Sequence, residues 1–476
     1  MKTLNTNVAI IGSGTAGLNA LREVEKAGLD WLLIESGEYG TMCARTGCMP
    51  SKLLIAAADV SHTIDHADEF GIQVKDNAID AHAVFERVRR ERDRFAGFVV
   101  KSTEARPEEY RIRGHAKFIG QNTLQVDDHT LINARSIVIA TGSEAFIPTP
   151  FEAIKNEILV NDDVFELQEL PRSLAVIGTG IIGLELGQSL QRLGIETTFF
   201  TYSDRLGALT DPIVKNKAHE VLSKELKIKF NSNISHAEKT PSGINLKWED
   251  KQNNEHQQWF AKVLLATGRK STLQNLNIEA AGVSNEQVMR DWNAQTAQVG
   301  DLPIFIAGDA AGHRQILHEA SDEGRIAGKN ATLYPETITQ VRRTPLAITF
   351  TDPQMALVGK NYSQLQPKNI EIGEVSYDGQ GRARVMNQHR GIVRIYANRK
   401  DCTLVGAELF SPRAEHLAHL LAWAVYQKMT IQQALEMPVY HPVLEEGIRT
   451  ALRDVMSKLK LTGGCRSVDL ANAPGE

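Results

Sequence analysis

The sequence predicts an α/β chain of two Rossmann-like, doubly wound domains followed by a C-terminal α+β domain. Two segments, beginning near residues 7 and 173, share one pattern: an apolar strand, the motif G-x-G-x-x-G, an amphipathic helix and a second apolar strand. From about Pro345, alternating apolar residues indicate antiparallel strands, and helical patterns follow them. The repeated pattern therefore predicts two similar domains, and the change of pattern predicts a third.

The glycines of the repeated motif define two candidate phosphate sites. Glycine permits a tight turn and lets the main chain approach a pyrophosphate held at the helix N-terminus. Two copies of the motif, each lying between a strand and a helix, indicate two dinucleotide-binding domains. The six glycines are Gly12, Gly14 and Gly17 in the first copy, and Gly178, Gly180 and Gly183 in the second.

The second strand of each copy ends differently. Glu35 follows the first loop at the roughly 20-residue spacing at which a carboxylate accepts a hydrogen bond from an adenosine ribose hydroxyl. The same offset from Gly183 reaches Thr201, so the second site lacks that carboxylate. Arg205 is near enough to meet a 2′-phosphate, although Asp204 opposes this. The alternative, equally compatible with the sequence, is that Asp204 and Arg205 are solvated charges of a surface loop.

Three further strands end in residues suited to ligand contact. Two of them close with Ala-Thr-Gly, at Gly142 and Gly268, and each is expected to end one nucleotide domain. A third strand begins at Ile304 and leads to Asp309, whose carboxylate suits a polyol chain. A turn or a helix cap is the alternative role for Asp309.

Cys43 and Cys48 form a candidate redox pair. The chain has only 4 cysteines, too few for a disulfide framework at this length. A regular helix would separate the two side chains, but an irregular turn at 46–47 permits a bond. Pro50 suits the first turn of a following helix, whose N-terminus would lower the pKa of Cys48. A zinc half-site or two inert thiols are the alternatives, although a zinc site wants two more ligands at tight sequence spacing and Cys402 and Cys465 are far apart in the sequence.

His441 is a second candidate catalytic residue. Pro442 suits the first position of a final helix expected from Val443 to about Leu459. His441 would then lie at the mouth of that helix, where Glu446 can orient it as a base. A cap histidine beside acids that complement the helix dipole explains the same residues.

The net charge and the apolar stretches of the sequence limit the binding partners and the location that we expect for this protein. The formal net charge of −5 argues against nucleic acid or an anionic membrane as the main partner. No apolar stretch reaches the roughly 20 residues that span a bilayer. We therefore expect a cytoplasmic protein, with no metal site.

The stretch from Cys43 to Lys52, C-x4-C-x-P-S-K, resembles the signature of the class I pyridine nucleotide–disulfide oxidoreductases. This is the family of lipoamide dehydrogenase, glutathione reductase and mercuric reductase, and the resemblance covers nearly the whole chain. It implies FAD and NAD as cofactors, with NADP not excluded. The implied FAD contacts are Gly12, Gly14, Gly17, Glu35, Lys52, Gly142 and Asp309; the implied NAD(P) contacts are Gly178, Gly180, Gly183, Thr201 and Gly268.

The resemblance also implies catalytic roles. Lys52 would lie beside the flavin ring and form an ion pair with Glu185. His441 and Glu446 match the family's H-P-x-x-x-E and would serve the neighbouring subunit, so a homodimer is implied. Cys43 would exchange with a dithiol, His441 would take its proton, and Cys48 would pass electrons to the flavin as a charge-transfer thiolate.

The resemblance divides the chain into an FAD-binding domain (1–148 and 272–342), an NAD(P)-binding domain (149–271), a dimerisation domain (345–466) and a mobile tail (467–476). It favours a dihydrolipoamide dehydrogenase-like enzyme acting on a small dithiol, for which a lipoyl domain of a multienzyme complex is one candidate. An NADPH-dependent reductase of another disulfide is the alternative. A flavin-bound redox sensor or complex subunit is the non-enzyme alternative. Arg45, where the family commonly has asparagine, either places a cation near the cysteines or is a surface residue.

Overall fold

The computed structural model describes residues 1–461. Its strands are β1 (Lys2–Ile11), β2 (Trp31–Glu35), β3 (Arg111–Arg113), β4 (Ala116–Gly120), β5 (Thr123–Val126), β6 (Thr130–Ile139), β7 (Ser143–Ala145), β8 (Ser173–Ile177), β9 (Glu196–Phe200), β10 (Lys227–Lys229), β11 (Asn233–Thr240), β12 (Gly243–Glu249), β13 (Glu255–Phe260), β14 (Lys262–Leu265), β15 (Arg269–Ser271), β16 (Ile304–Ile306), β17 (Leu346–Thr349), β18 (Gln354–Gly359), β19 (Ile370–Ser376), β20 (Ile392–Asn398) and β21 (Leu404–Ser411). Its helices are α1 (Thr15–Lys26), α2 (Met42–Arg45), α3 (Cys48–Asp65), α4 (Ala81–Glu104), α5 (Asn161–Val164), α6 (Ile181–Arg192), α7 (Pro212–Leu222), α8 (Asn285–Asp291), α9 (Leu317–Leu333), α10 (Gly381–Val385), α11 (Ala414–Tyr426), α12 (Ile431–Glu436) and α13 (Glu446–Leu461).

The first glycine motif leads out of a parallel sheet with the order β3–β2–β1–β6–β16. The antiparallel pair β4–β5 extends this sheet beyond β6. Helices α1 and α9 pack closely, because a Cβ at Gly324 would lie 2.2 Å from the Ala16 carbonyl oxygen and one at Gly328 would lie 2.4 Å from that of Ala20. The glycines of α9 therefore bring two helices into main-chain contact beside the first motif.

The second glycine motif repeats this arrangement on the parallel sheet β10–β9–β8–β14. An antiparallel meander, β11–β12–β13, packs beside it through aromatic side chains. The ring of Phe200 lies edge-on to Trp248 and Phe260, at centroid distances of 4.9 and 5.9 Å. Strands β7 and β15, which directly follow the two Ala-Thr-Gly segments, pair with each other and tie the two sheets together.

The C-terminal region contains an antiparallel sheet, β17–β18–β21–β20–β19, with α11 and α13 packed against it. A Cβ at Gly373 would lie 2.1 Å from the Ala451 carbonyl oxygen, so α13 packs directly on β19. The predicted fold class is confirmed: two Rossmann-like domains and a C-terminal α+β domain. Cys465 and the predicted tail, 467–476, lie outside the described residues.

Candidate active site

The two candidate redox cysteines lie on either side of a break between helices. Helix α2 ends at Arg45, and α3 begins with Cys48 itself. Gly47 lies in the break, where an added Cβ would be 3.2 Å from the Cys43 Cα, so glycine allows the two segments to approach. Both cysteines are free thiols in this structure, and their side chains are hydrogen-bonded to each other. The irregular turn predicted at 46–47 is therefore present, whereas disulfide cycling stays a prediction.

The two thiols differ in acidity. The hydrogen bond from Cys43, together with the nearby Lys52 ammonium, lowers the pKa of Cys48 to about 7 against the opposing effect of burial. The same hydrogen bond, with burial, raises the pKa of Cys43. Cys48 is thus the thiol that ionises first, and Cys43 is the proton donor to it.

An ion pair lies one helical turn beyond Cys48. Lys52 on α3 places its Nζ 2.7 Å from Oε2 of Glu185 on α6, as the resemblance implies. Glu185 is only 4% exposed, and its Oε1 accepts a hydrogen bond from the Phe350 main-chain nitrogen at 2.9 Å. The pair therefore links the cysteine-bearing helix to the second Rossmann-like domain and to the start of the C-terminal domain.

The two glycine motifs are packed in the same way. A Cβ at Gly12 or Gly178 would lie 2.4 or 2.3 Å from the carbonyl oxygen of the alanine in the corresponding Ala-Thr-Gly segment. A Cβ at Gly17 or Gly183 would lie 1.9 or 2.0 Å from the carbonyl oxygen of the motif's own first glycine. Each Ala-Thr-Gly segment is thus the packing partner of one glycine loop. The middle glycines face open space, with no atom within 4 Å of an added Cβ: Gly14 and Gly180.

A long cavity runs from the first glycine motif to the cysteines. One part, of about 1580 Å³, is lined by Glu35, Gly14 and Gly142 among others. A second part, of about 440 Å³, shares Gly14 and Gly142 and is also lined by Cys43 and Cys48. The cavity therefore joins the phosphate loop to the thiol pair, as a site for FAD would have to.

The polar groups along this cavity also fit FAD. Glu35 Oε2 accepts hydrogen bonds from the main-chain nitrogen and the hydroxyl of Ser13, both at 2.7 Å. Asp309 lies in a short turn at the second part of the cavity, and its Oδ2 accepts from the Ser143 hydroxyl at 2.6 Å. The buried hydroxyl of Thr141 has no partner among the described residues. These groups supply the carboxylates and a free hydroxyl that a ribose and a ribityl chain would meet.

Arg269 connects these parts and was not predicted. Its guanidinium donates to the Ser143 hydroxyl at 2.8 Å and to Asn161 Oδ1 at 3.0 Å. Asn161 in turn donates to the carbonyl oxygen of Thr46, between the two cysteines, at 3.1 Å. The sequence held one indication of the contact between Ser143 and Arg269, since each of them directly follows an Ala-Thr-Gly segment.

The second nucleotide loop lacks a ribose carboxylate at the expected place. Thr201 is buried at the end of β9, and Tyr202 beside it is 79% exposed. Asp204 forms an ion pair with Lys215 at 2.5 Å, and this hydrogen bond lowers the pKa of Asp204. Arg205 is exposed and donates to the Gly207 carbonyl oxygen at 3.0 Å; no carboxylate of the described residues lies within ion-pair distance of it.

Arg45 is half-buried and lines the first part of the cavity. Its guanidinium forms an ion pair with Glu38 and donates to the Tyr39 carbonyl oxygen at 3.1 Å. The cation that acts on Cys48 is instead Lys52.

His441 and Glu446 form the expected pair in an unexpected local structure. His441 Nδ1 lies 2.8 Å from Glu446 Oε1, and this hydrogen bond lowers the pKa of Glu446. The prediction that Pro442 opens the final helix at Val443 was wrong, since α13 begins at Glu446. Side chains bind the intervening main chain: Gln380 donates to the Val443 carbonyl oxygen, and Glu446 accepts from the Val443 nitrogen.

His441 is placed outside the cavity of its own chain. Its side chain is 81% exposed, and among the described residues of one chain it lines neither part of the cavity. The buried Tyr377 hydroxyl donates to the Leu444 carbonyl oxygen at 2.9 Å and anchors this loop to the C-terminal domain. The pair is therefore rigidly presented on the surface.

Residues 1–461 contain neither a metal-binding cluster nor a membrane-spanning helix. No three His, Cys, Asp or Glu side chains are grouped there so as to hold a metal ion. Every helix in that range is too short or too polar to cross a lipid bilayer.

Comparison with known proteins places this site in a family. Residues 6–324 match the family described as pyridine nucleotide-disulphide oxidoreductase, and residues 346–452 match its dimerisation domain. Similar curated proteins include the dihydrolipoyl dehydrogenase of Bacillus subtilis (strain 168), 30% identical over 94% of this chain and 97% of the relative, and the mercuric reductase of Staphylococcus aureus, 29% identical over 96% and 84%.

Solved structures show the same fold. LpdA from Mycobacterium tuberculosis gives a TM-score of 0.79 at 21% identity, covering 94% of this chain and 99% of that one. The HOCl-induced flavoprotein disulfide reductase RclA from Escherichia coli gives 0.78 at 21% identity, covering 95% and 99%. The chain therefore belongs to the class I pyridine nucleotide–disulfide oxidoreductases, a family of FAD- and NAD(P)-dependent enzymes whose C-terminal domain forms a homodimer.

Proposed function

We propose that this chain is a dihydrolipoyl dehydrogenase-like enzyme that moves electrons between a small dithiol, the Cys43–Cys48 pair, FAD and NAD. The observation that carries the proposal is the unequal acidity of two adjoining thiols beside the Lys52–Glu185 pair. Several relatives named dihydrolipoyl dehydrogenase support the substrate class. A lipoyl domain of a multienzyme complex, in the reducing cytoplasm, is the proposed source of the dithiol.

The proposed FAD domain comprises 1–148 and 272–342, the NAD(P) domain 149–271 and the dimerisation domain 345–466. When bound, FAD accepts two electrons from thiols and gives hydride to a nicotinamide. The first glycine loop would hold its pyrophosphate and Glu35 its ribose, while Asp309 and Lys52 would meet the flavin end. The proposed FAD residues are Gly12, Gly14, Gly17, Glu35, Lys52, Gly142 and Asp309; those for NAD(P) are Gly178, Gly180, Gly183, Thr201 and Gly268.

The acidity of Cys48 determines which sulfur the substrate attacks. In the oxidised pair, a substrate thiolate attacks the sulfur of Cys43, the bond between Cys43 and Cys48 breaks, and Cys48 leaves as a thiolate. A thiol of lower pKa leaves faster. The second substrate thiol then displaces Cys43, so the substrate is oxidised to a disulfide and the enzyme pair carries its two electrons.

His441 of the second subunit would take the substrate's proton. Glu446 accepts the Nδ1 proton of His441, which orients the ring and leaves Nε2 as the acceptor for the substrate's proton. Since His441 does not line the cavity of its own chain, the homodimer supplies it from the neighbouring subunit.

Steady-state turnover tests this proposal. FAD-loaded protein should reduce NAD with dihydrolipoamide, and in reverse should oxidise NADH with lipoamide. The same protein is assayed with NADPH and glutathione disulfide as the matched comparison. Turnover with NADPH alone, with lipoamide inert, would contradict the proposal.

Two residues of the second nucleotide loop favour a second candidate function, that of an NADPH-dependent reductase of another disulfide. Thr201 stands where a ribose carboxylate would select NAD, and Arg205 is exposed, with no carboxylate of the described chain within ion-pair distance of its guanidinium. Flavin reduction rates with NADH and NADPH, measured at equal concentrations, separate the two nucleotides independently of the disulfide.

A further inference from the structure

The segment 350–352 is fixed to one face of α6. Glu185 accepts from the Phe350 nitrogen at 2.9 Å, and Gln188 accepts from the Asp352 nitrogen at 2.9 Å while donating to its carbonyl oxygen at 3.2 Å. Arg192 donates to Asp352 Oδ2 at 3.1 Å. Residues three and seven apart share a helix face, so three side chains of α6 hold this short segment in one position.

This attachment places the Phe350 ring against Lys52. The Lys52 Nζ lies 4.3 Å from the ring centroid, within the range of a cation–π interaction, and 2.7 Å from Glu185 Oε2. Phe350 therefore contacts both members of the ion pair, Lys52 through its ring and Glu185 through its main-chain nitrogen. It also lines the part of the cavity that contains Cys48.

A lysine ammonium needs such contacts if it is to stay at a fixed place beside Cys48. Its ammonium is carried on four flexible carbons, and its hydrogen-bond partners are Glu185 at 2.7 Å and, at 3.5 Å, the Ser51 hydroxyl. Among the groups that shift the pKa of Cys48, the Cys43 thiol and the Lys52 ammonium favour the thiolate, whereas the Glu185 carboxylate opposes it. A small movement of Lys52 towards Glu185 and away from Cys48 would thus weaken the thiolate.

We propose that Phe350 is a positioning residue whose ring holds the Lys52 ammonium beside Cys48. The C-terminal domain then contributes to thiolate formation through its own chain, separately from any residue it gives to a second subunit. The inference rests on the proposed redox role of Cys48, but it does not depend on which disulfide is the substrate.

The test reads the reactivity of Cys48 directly. Reduced, FAD-loaded protein carrying Cys43→Ser, which keeps a hydroxyl donor beside Cys48, is alkylated with iodoacetamide across a pH series, and the Cys48 peptide is quantified by mass spectrometry. Phe350→Leu should slow alkylation at pH 7 by about two- to fivefold. Phe350→Tyr keeps an aromatic face and should stay within about twofold of the parent.

A double-mutant comparison excludes a general packing effect. In a Lys52→Met background, Phe350→Leu should cause no further slowing, because the cation it positions is gone. Equal slowing with and without Lys52, or no slowing by Phe350→Leu, would overturn the proposal. If the leucine variant loses FAD, Phe350→Met takes its place. Because no turnover is measured, an inactive lipoamide assay would leave this result unaffected.

Discussion

At the scale of single residues, the surroundings make two identical thiols unequal. Cys48 begins a helix, accepts a hydrogen bond from Cys43 and lies near the Lys52 ammonium, and all three features favour its thiolate. Cys43 is the donor in that hydrogen bond and keeps its proton. In the proposed mechanism this asymmetry gives the pair a direction, with Cys43 as the sulfur that the substrate would attack and Cys48 as the sulfur that would face the cofactor.

Replacing the attacked sulfur should separate two activities. Cys43→Ser should abolish nearly all oxidation of dihydrolipoamide, because a hydroxyl cannot form the mixed disulfide. Reduction of an artificial dye by NADH should continue, since hydride transfer from the nicotinamide does not involve Cys43. Both rates are measured on one preparation with equal FAD content. Intact dithiol turnover would remove Cys43 from the proposed exchange.

The acidity of Cys48 predicts a pH profile. A thiol whose pKa is lowered to about 7 is a thiolate above that pH and is protonated below it, so alkylation should level off above about pH 7 and fall about tenfold per pH unit beneath it. Lys52→Met should move the midpoint upward, because the ammonium favours the charged form. If the midpoint of the unaltered protein lay near the ordinary thiol pKa, neither Lys52 nor Cys43 would be lowering the pKa of Cys48.

At the scale of elements, equivalent substitutions in the two glycine loops can test which loop binds FAD and which binds the nicotinamide nucleotide. Gly14 and Gly180 occupy the same place in the two motifs, and an added Cβ at either meets no protein atom within 4 Å. Gly14→Ala should leave folding intact but weaken FAD binding, because the methyl group enters the space a pyrophosphate needs. Gly180→Ala should keep FAD and raise the KM for the nicotinamide nucleotide.

Flavin fluorescence during dialysis and steady-state kinetics measure these two effects, and each variant is the control for the other. Loss of FAD from both proteins to the same extent would show that the substitutions disturb the fold and not the two separate sites.

The elements that sequence could predict are those with a local signal. The glycine loops, the Ala-Thr-Gly strands and the break between Cys43 and Cys48 each depend on neighbours close in the chain. The change of pattern after about Pro345 predicted antiparallel strands but not the separate strands β17 and β18; β17 is only 4 residues long, too short for a periodic pattern. The contacts of Phe350 and Arg269 join residues more than a hundred positions apart, so only the folded chain shows them.

At the scale of the whole molecule, the His441–Glu446 pair of one chain lies apart from the cavity that its cysteines line. The His441–Glu446 pair is exposed on the C-terminal domain, and the same domain exposes large side chains on α11, with Trp423 67% and Tyr426 54% accessible. A homodimer would cover such a surface. His441→Gln should then cut dithiol oxidation by about 10²–10⁴ if the ring acts as a general base. Unchanged turnover would remove His441 from the mechanism.

Mixed dimers show which chain supplies His441. A heterodimer of one Cys43→Ser subunit and one His441→Gln subunit, purified through two different tags, contains one doubly defective site and one intact site if the histidine crosses the interface. It should recover about half of the unaltered activity, as expected from two independent sites. If each chain used its own histidine, both sites would be defective and no activity would return.

The reverse pairing gives the opposite result, which makes the experiment decisive. When both substitutions lie on one subunit and the other subunit is unaltered, shared sites each receive one defect, so the dimer should be nearly inactive. Sites contained within one chain would instead leave the unaltered subunit working at half activity. The two heterodimers have the same composition, differing only in how the substitutions are distributed. Which of the two heterodimers keeps about half of the activity therefore shows whether His441 acts across the dimer interface or within its own chain.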